Sequence, residues 1–396
     1  MFRYNTYICR LSPSDWKAVS DGRAVLRGRR GTGSDPGRAV VASMSYPRLE
    51  IHLDVIRENA EKLYQACREN GVEPVGITKI CCGEQAVAQT LIEAGYRTLG
   101  DSRLENIEKY RGLDCETMLI RLPMISEAER VVRLADYSLN SEIATVQALS
   151  GAAVRQGRTH RVIAMMELGD LREGCADEKT LCSLCRRVAE LPGLELAGVG
   201  ANFICYGGAK PSTAALNRLL DAKKHIEREL SIEIPIVSGG SSANERLMTA
   251  GGLPSGVNQL RTGALMHVGI GLMDEKIPGY RDDAYRLKAE IIECNVKPTM
   301  PWGELGTDAF GHINEWEDRG EIRRCIAAVG RADVELECLE PMDAGIGILG
   351  GSSDHLLLDL SGTDREYRTG DVVEFKVGYV GVLRACTSPY VEKVCV

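Results

Sequence analysis

The run Val75-Gly76-Ile77-Thr78-Lys79-Ile80-Cys81-Cys82-Gly83 reads as a strand buried on both faces, apolar without alternation and closed by a glycine turn. A lysine inside it needs a reason. An ammonium at the end of an apolar strand is costly unless paired or used, and desolvation lowers its pKa toward the range in which the amine is a nucleophile. The plain alternative is a lysine that snorkels to water.

Outward from this run, strand and helix patterns alternate. Downstream the spacing predicts helices over 84–94, 103–110, 127–135, 143–156, 178–190, 214–230 and 244–249. Strands are predicted over 98–100, 118–122, 137–139, 161–167, 196–202 and 234–238. Upstream, Leu49-Glu50-Ile51-His52-Leu53 reads as a strand and 55–70 as a helix opened by Asp54 as its cap. A β-then-α series of this length predicts an α/β fold, a closed (β/α)₈ TIM barrel over 45–278, with 49–53 as the first strand and Lys79 ending the second. Beyond 278 the texture changes to β-rich segments at 329–337, 355–360 and 372–379 between Gly/Asp turns. A smaller, mostly antiparallel β-domain is expected over 279–396. Residues 1–44, with Arg23, Arg27, Arg29 and Arg30 among glycines, read as a disordered N-terminal extension, and Met44 as the start of the folded unit.

The 396 residues are 44% hydrophobic and 26% charged, as in an ordinary globular protein, and no uncharged run is long enough to span a membrane. A formal charge of −8 argues against a nucleic-acid partner. The 14 cysteines are scattered, without the spacing of a zinc site, and point to a reducing cytoplasm rather than a disulfide framework.

Barrel chemistry gathers at the C-terminal strand ends. There the sequence places Lys79, Asp101, Arg121, Asn140, Asp170, Arg172, Glu173 and Asn202, then the turns Ser238-Gly239-Gly240-Ser241-Ser242 and Arg261-Thr262-Gly263-Ala264. Glycine turns bearing hydroxyls and leading into helices suit a phosphate, although the first equally reads as a serine-capped turn.

These residues together resemble the fold type III pyridoxal-phosphate enzymes of the alanine racemase superfamily. Gly76-Ile77-Thr78-Lys79-Ile80-Cys81-Cys82-Gly83, Leu99-Gly100-Asp101-Ser102-Arg103, Gly169-Asp170-Leu171-Arg172-Glu173-Gly174, Cys205-Tyr206-Gly207-Gly208, Gly350-Gly351-Ser352-Ser353-Asp354-His355 and the stretch from Thr387 to Lys393 are similar to its ornithine racemase branch. The resemblance implies pyridoxal 5′-phosphate held by Lys79 as a Schiff base, with Arg261 at the ring nitrogen and Asn202 against the ring. It implies Ser241, Ser242, Gly263, Ala264 and Tyr390 at the phosphate, and Arg172 near the substrate.

Racemisation needs a proton-transfer group on each face of the α-carbon. Lys79 supplies one. Arg331 stands where alanine racemases carry their second catalytic tyrosine, and an arginine is no base at neutral pH. The segment Ser352, Ser353, Asp354 and His355 aligns with the part that enters the partner's site. Asp354 and His355 are therefore the candidate second bases, and Ser352 and Ser353 candidate substrate contacts. If the segment is a strand, Asp354 and His355 point to opposite faces. The reading is a racemase of a small basic amino acid, ornithine foremost, with Glu173, Asp101, Asp308 and Glu142 as candidate partners for its side-chain ammonium. A cytoplasmic homodimer with shared sites is expected. The alternatives are another amino-acid racemase, a D-amino-acid aldolase or dehydratase, and a non-catalytic pyridoxal-phosphate carrier.

Overall fold

The computed structural model describes residues 45–271, 275–308, 310, 311, 313 and 315–396; the extension expected over 1–44 lies outside them. Nine strands, β1 (Arg48–Ile51), β2 (Glu73–Ile77), β3 (Thr98–Asp101), β4 (Glu116–Leu119), β5 (Tyr137–Asn140), β6 (His160–Met165), β7 (Leu194–Gly200), β8 (Ile236–Ser241) and β9 (Gln259–Thr262), alternate with helices. β2 to β9 close into an eight-stranded parallel barrel. Its interior is filled by Val75, Ile77, Met118, Leu139, Ile163 and Met165, each adding roughly 1.5–3 kcal/mol by leaving water. Two of the outer helices are capped as their sequences imply. Asp177 accepts from Thr180 N at 2.7 Å, and Ser212 accepts from Ala215 N at 3.2 Å.

The second layer is antiparallel, formed by β10 (Tyr285–Pro298), β11 (Glu321–Ala327), β12 (Leu339–Pro341), β13 (Gly347–Gly351), β14 (Leu356–Asp359), β15 (Val372–Val377) and β16 (Glu392–Cys395). The order is β12-β15-β10-β11-β14-β13. β1 also belongs to this layer, antiparallel to β10 and parallel to β16. The expectation that 49–53 is the first barrel strand is thus corrected. β2 is the first and β9 the eighth, because a buried strand leading into a helix reads the same locally whichever sheet it joins. Asp54 is not the cap either. The chain passes from β1 directly into the helix Leu53–Glu69, so His52 takes the cap position and Asp54 lies in the first turn.

Three expectations in the β-domain also change. Residues 329–335 form a turn rather than a strand, because Arg331 N and Ala332 N donate to the carbonyls of Ser352 and Ser353 at 3.0 and 2.9 Å. Gly330 permits this approach; a Cβ there would fall inside contact distance of Ser353 O. Asp354 and His355 lie in the bend between β13 and β14, so strand alternation does not separate them, and both are exposed. Cys294 and Cys325, opposite each other in the β10–β11 register, are joined in a disulfide, against the expectation of unpaired cysteines.

Candidate active site

β2 ends at Ile77, and Lys79 opens a short 3₁₀ turn, Lys79–Cys81. The turn closes through Cys82 and Gly83, both with positive φ, and a Cβ on Gly83 would lie 2.8 Å from Asn106 Cβ. Beneath the lysine, the buried Thr78 donates its hydroxyl hydrogen bond to Asp101 Oδ2 at 3.0 Å and also pairs with the Tyr110 hydroxyl. Asp101 further accepts from Asn106 Nδ2 at 2.9 Å and Arg103 N at 3.0 Å. Burial raises its carboxyl above the ordinary range. On the other side, Ile77 O accepts from His267 Nε2 at 3.0 Å, and the Tyr285 hydroxyl bonds His267 Nδ1 at 2.8 Å. A carbonyl only accepts, so the His267 proton is on Nε2 and Tyr285 donates to Nδ1. The root of Lys79 is thereby fixed from both layers of the molecule.

Above this floor is a cavity of about 730 Å³ lined by Lys79, Arg121, Arg172, Glu173, Asn202, Cys205, Ser241, Ser242, Arg261, Gly263, Ala264 and Tyr379, among others. Arg261, on β9, is 5% exposed; Nη1 donates to Ser238 Oγ, and Nη2 donates to Ala201 O at 2.7 Å and Asn202 Oδ1 at 2.6 Å. Burial lowers its pKa to about 10, which leaves it a cation at neutral pH. Asn202 passes the contact on, donating Nδ2 to Glu173, whose carboxylate takes Nε and Nη2 of Arg172. A chain of charge therefore runs Arg261, Asn202, Glu173, Arg172 along one wall. On the next wall Gly263 N donates to Ser242 Oγ at 3.0 Å. The β8 turn that delivers Ser241 and Ser242 contains Gly240 at φ +116°, a conformation a side chain would strain.

The structure thus gathers Lys79, Arg172, Glu173, Asn202, Ser241, Ser242, Arg261, Gly263 and Ala264 in one place. It does not bring Ser352, Ser353, Asp354, His355 or Tyr390 to that cavity. Tyr390 is 76% exposed before β16, and Tyr379, which opens the helix Tyr379–Thr387, lines the wall instead. Lys79 Nζ stands 6.0 Å from the Tyr379 ring centroid. In the 352–355 bend, Ser352 Oγ and His355 Nδ1 are 3.3 Å apart and Ser353 Oγ donates to Asp354 Oδ2 at 2.8 Å. Of the four candidate carboxylates only Glu173 lines the cavity. Arg121 and Cys205 were not given roles by the sequence, and Tyr379, expected at the end of a strand, was only the fallback for the second base should residues 352–355 fail. The first was visible as a strand-end residue, but nothing local shows that it faces inward. Among the described residues, no three His, Cys, Asp or Glu side chains gather to hold a metal ion.

A barrel with a lysine at its first strand end, a buried arginine at its last and a cavity lined in part by Tyr379 from the second layer defines a class of lysine-bearing barrel enzymes. Residues 51–269 match the family model "Alanine racemase, N-terminal domain", and the chain belongs to that family. It is 38% identical to an ornithine racemase of Acetoanaerobium sticklandii, over 88% of this chain and 99% of that one. It is 36% identical to a lysine racemase of Thermotoga maritima, over 89% and 99%. An alanine racemase structure from Bartonella henselae with covalently bound pyridoxal phosphate superposes with a TM-score of 0.67 at 16% identity, covering 88% of this chain and 99% of that one. Family and relatives alike mark the chain as an enzyme of the racemase class.

Proposed function

We propose that this racemase holds pyridoxal 5′-phosphate in the cavity and interconverts the enantiomers of a small basic amino acid, ornithine foremost. The observation that carries the reading is the placement of Glu173, the one carboxylate among the described cavity residues, in the same space as Lys79. A diamino acid needs such an acceptor for its side-chain ammonium, whereas alanine does not. The ornithine and lysine racemase relatives support the same substrate class.

The residues present fit the cofactor. Ser241 and Ser242 offer hydroxyl donors for a phosphate, Ala264 a backbone N–H beside them, and a Cβ on Gly263 would crowd Ile77 Cβ at 3.3 Å. Among the described residues Arg261 has no carboxylate contact of its own, and it stands as the cation for the ring nitrogen. When bound, the group supplies an electron sink that acidifies the α-proton. Lys79 is its covalent anchor, and its Nζ takes or returns that proton on one face. The far face needs a second group. Asp354 and His355 are exposed and outside their own chain's cavity, so they serve only if a second copy presents residues 352–355 there. The proposal therefore includes a homodimer with shared sites. A second reading rests on Tyr379, which lines the same chain's cavity beside Lys79. A cytoplasmic setting is part of the proposal, supported by thiols such as Cys82 and Cys205 that stay unpaired.

The test is incubation of the purified enzyme with single L-amino acids, with chirality and mass followed together. Loss of optical rotation from L-ornithine without change of mass is expected, and Lys79→Ala should abolish it. A mass change would select lyase chemistry; cofactor binding without turnover would select a carrier.

A further inference from the structure

The loops that follow β6 and β7 meet at Asp170. Its side chain is 1% exposed, and both carboxylate oxygens accept from the next loop's backbone: from Cys205 N at 3.1 and 3.0 Å, and from Tyr206 N at 3.4 and 3.2 Å. The Asp170 carbonyl takes Gly207 N at 2.8 Å, and a Cβ on Gly207 would fall 2.6 Å from that oxygen. A buried carboxylate is costly unless hydrogen-bonded, and two adjacent amides of a neighbouring loop supply that compensation here. Glu167, by contrast, accepts from Gly169 N and Arg172 N and so braces only its own loop.

The backbone on both sides of this contact is held in an unfavoured conformation. Leu171 follows Asp170 at φ +56°, and Ile204 precedes Cys205 at φ +54°. A left-handed backbone is disfavoured for side chains other than glycine's, most of all for a β-branched one, and it persists only where the surroundings impose it. Asp170 reaches both loops at once. Beyond it lies the cavity wall, lined by Arg172 and Glu173 from the first loop and by Asn202, Ile204 and Cys205 from the second. The Asn202–Glu173 contact crosses between the same two loops and joins Arg172 to Arg261.

We infer that Asp170 is a positioning residue for the reaction: it fixes the loop after β7 against the loop after β6 so that Glu173 meets Asn202, and thereby sets where Glu173 and Arg172 stand in the cavity. The inference rests on the amino-acid reading of the cavity and adds the residue that keeps its recognition wall in register. Asp170 does not line the cavity, so it acts through Glu173 rather than on a ligand. Without its carboxylate the Arg172–Glu173 pair survives within its own loop, but the register with Asn202 is lost.

The experiment is a double-mutant cycle with a second, structural readout. Asp170→Asn keeps the size of the side chain but turns one acceptor into a donor that opposes the two amides. It is expected to raise KM for ornithine about tenfold while changing kcat less than about threefold. Added to Glu173→Gln, the same substitution should raise KM less than about twofold, because residues that act through one contact are not additive. Equal effects in both backgrounds would mean a general structural role and overturn the inference, as would an unchanged KM. Hydrogen–deuterium exchange of the purified full-length enzyme reads the loops directly: peptides over 201–210 should exchange about tenfold faster in Asp170→Asn, with the barrel strands at the parent rate. Acceleration throughout the barrel, or none at all, would count against Asp170. Should Asp170→Asn fail to fold, Gly207→Ala presses the two loops apart from the other side and is expected to reproduce both changes; parent-like behaviour there would overturn the inference. If the parent does not racemise ornithine, the substrate reading fails alone. The amino acid it does racemise then takes ornithine's place in the cycle, and the exchange result stands as it is.

Discussion

His267 shows how much one residue can couple. Fully buried, it links the carbonyl that ends β2 to the Tyr285 hydroxyl at the start of β10, and burial lowers its pKa to about 4. Because the folded-state value lies below the ordinary 6.5, the unfolded chain binds the proton first as pH falls. The stabilisation is complete above pH ~6.5 and is lost on the way down to about 4. From pH 7 to pH 5 this one group should cost about 2 kcal/mol. His267→Gln should lower stability at pH 7 yet flatten this part of the pH dependence, read from urea midpoints at the two values. His160, buried and likewise lowered to about 4, contributes a similar slope that the variant keeps. An unchanged pH slope in His267→Gln would show that the imidazole does not titrate with folding.

At the scale of elements, the β-domain depends on a close approach of two turns. Gly330 has no room for a Cβ because the backbone of Ser353 occupies the space, and the Arg331 and Ala332 amides use that proximity to bond the Ser352 and Ser353 carbonyls. Gly330→Ala is expected to cost about 1–3 kcal/mol in thermal or chemical unfolding and to displace the 352–355 bend. Parent-like stability would mean that the bend moves freely. The same elements explain what the sequence could and could not tell. The barrel was legible because buried parallel strands and amphipathic helices have different periods, and Lys79 because a charge interrupts one of those runs. Which sheet β1 joins was not, since its partners Lys288 and Glu392 are distant in sequence. The turn at 329–335 was missed for a related reason: Val329 and Val334 suit a strand, and only the contact with Ser353 overrides that preference. The cavity residues at glycine-marked strand ends were found, whereas Arg121, Cys205 and Tyr379 needed the geometry to turn them inward.

For the whole molecule, the decisive question is whether one copy is enough. The cavity of a single chain holds Lys79, Arg261 and Glu173, while Asp354 and His355 face outward from the β-layer. If a second copy completes the site, Lys79→Ala chains mixed with chains carrying Asp354→Asn and His355→Gln should regain activity through hybrid sites, approaching a quarter of the parent rate in a statistical mixture. No recovery, or full activity of the double variant alone, would exclude this arrangement and leave Tyr379 as the second group. Exchange of the α-proton in heavy water separates the faces: the variant lacking the second group should exchange only one enantiomer.

The pairing of β1 with β10 and β16 also bears on how the molecule is made. As the chain leaves the ribosome, β1 emerges well before both strands it pairs with, and Arg48 waits for Lys288 and Glu392 before either of its edges is covered. The barrel can assemble in the interval, but β1 remains an open strand edge for most of synthesis, the period in which such edges recruit foreign strands. The charged Arg48 and Glu50 at alternate positions guard it meanwhile.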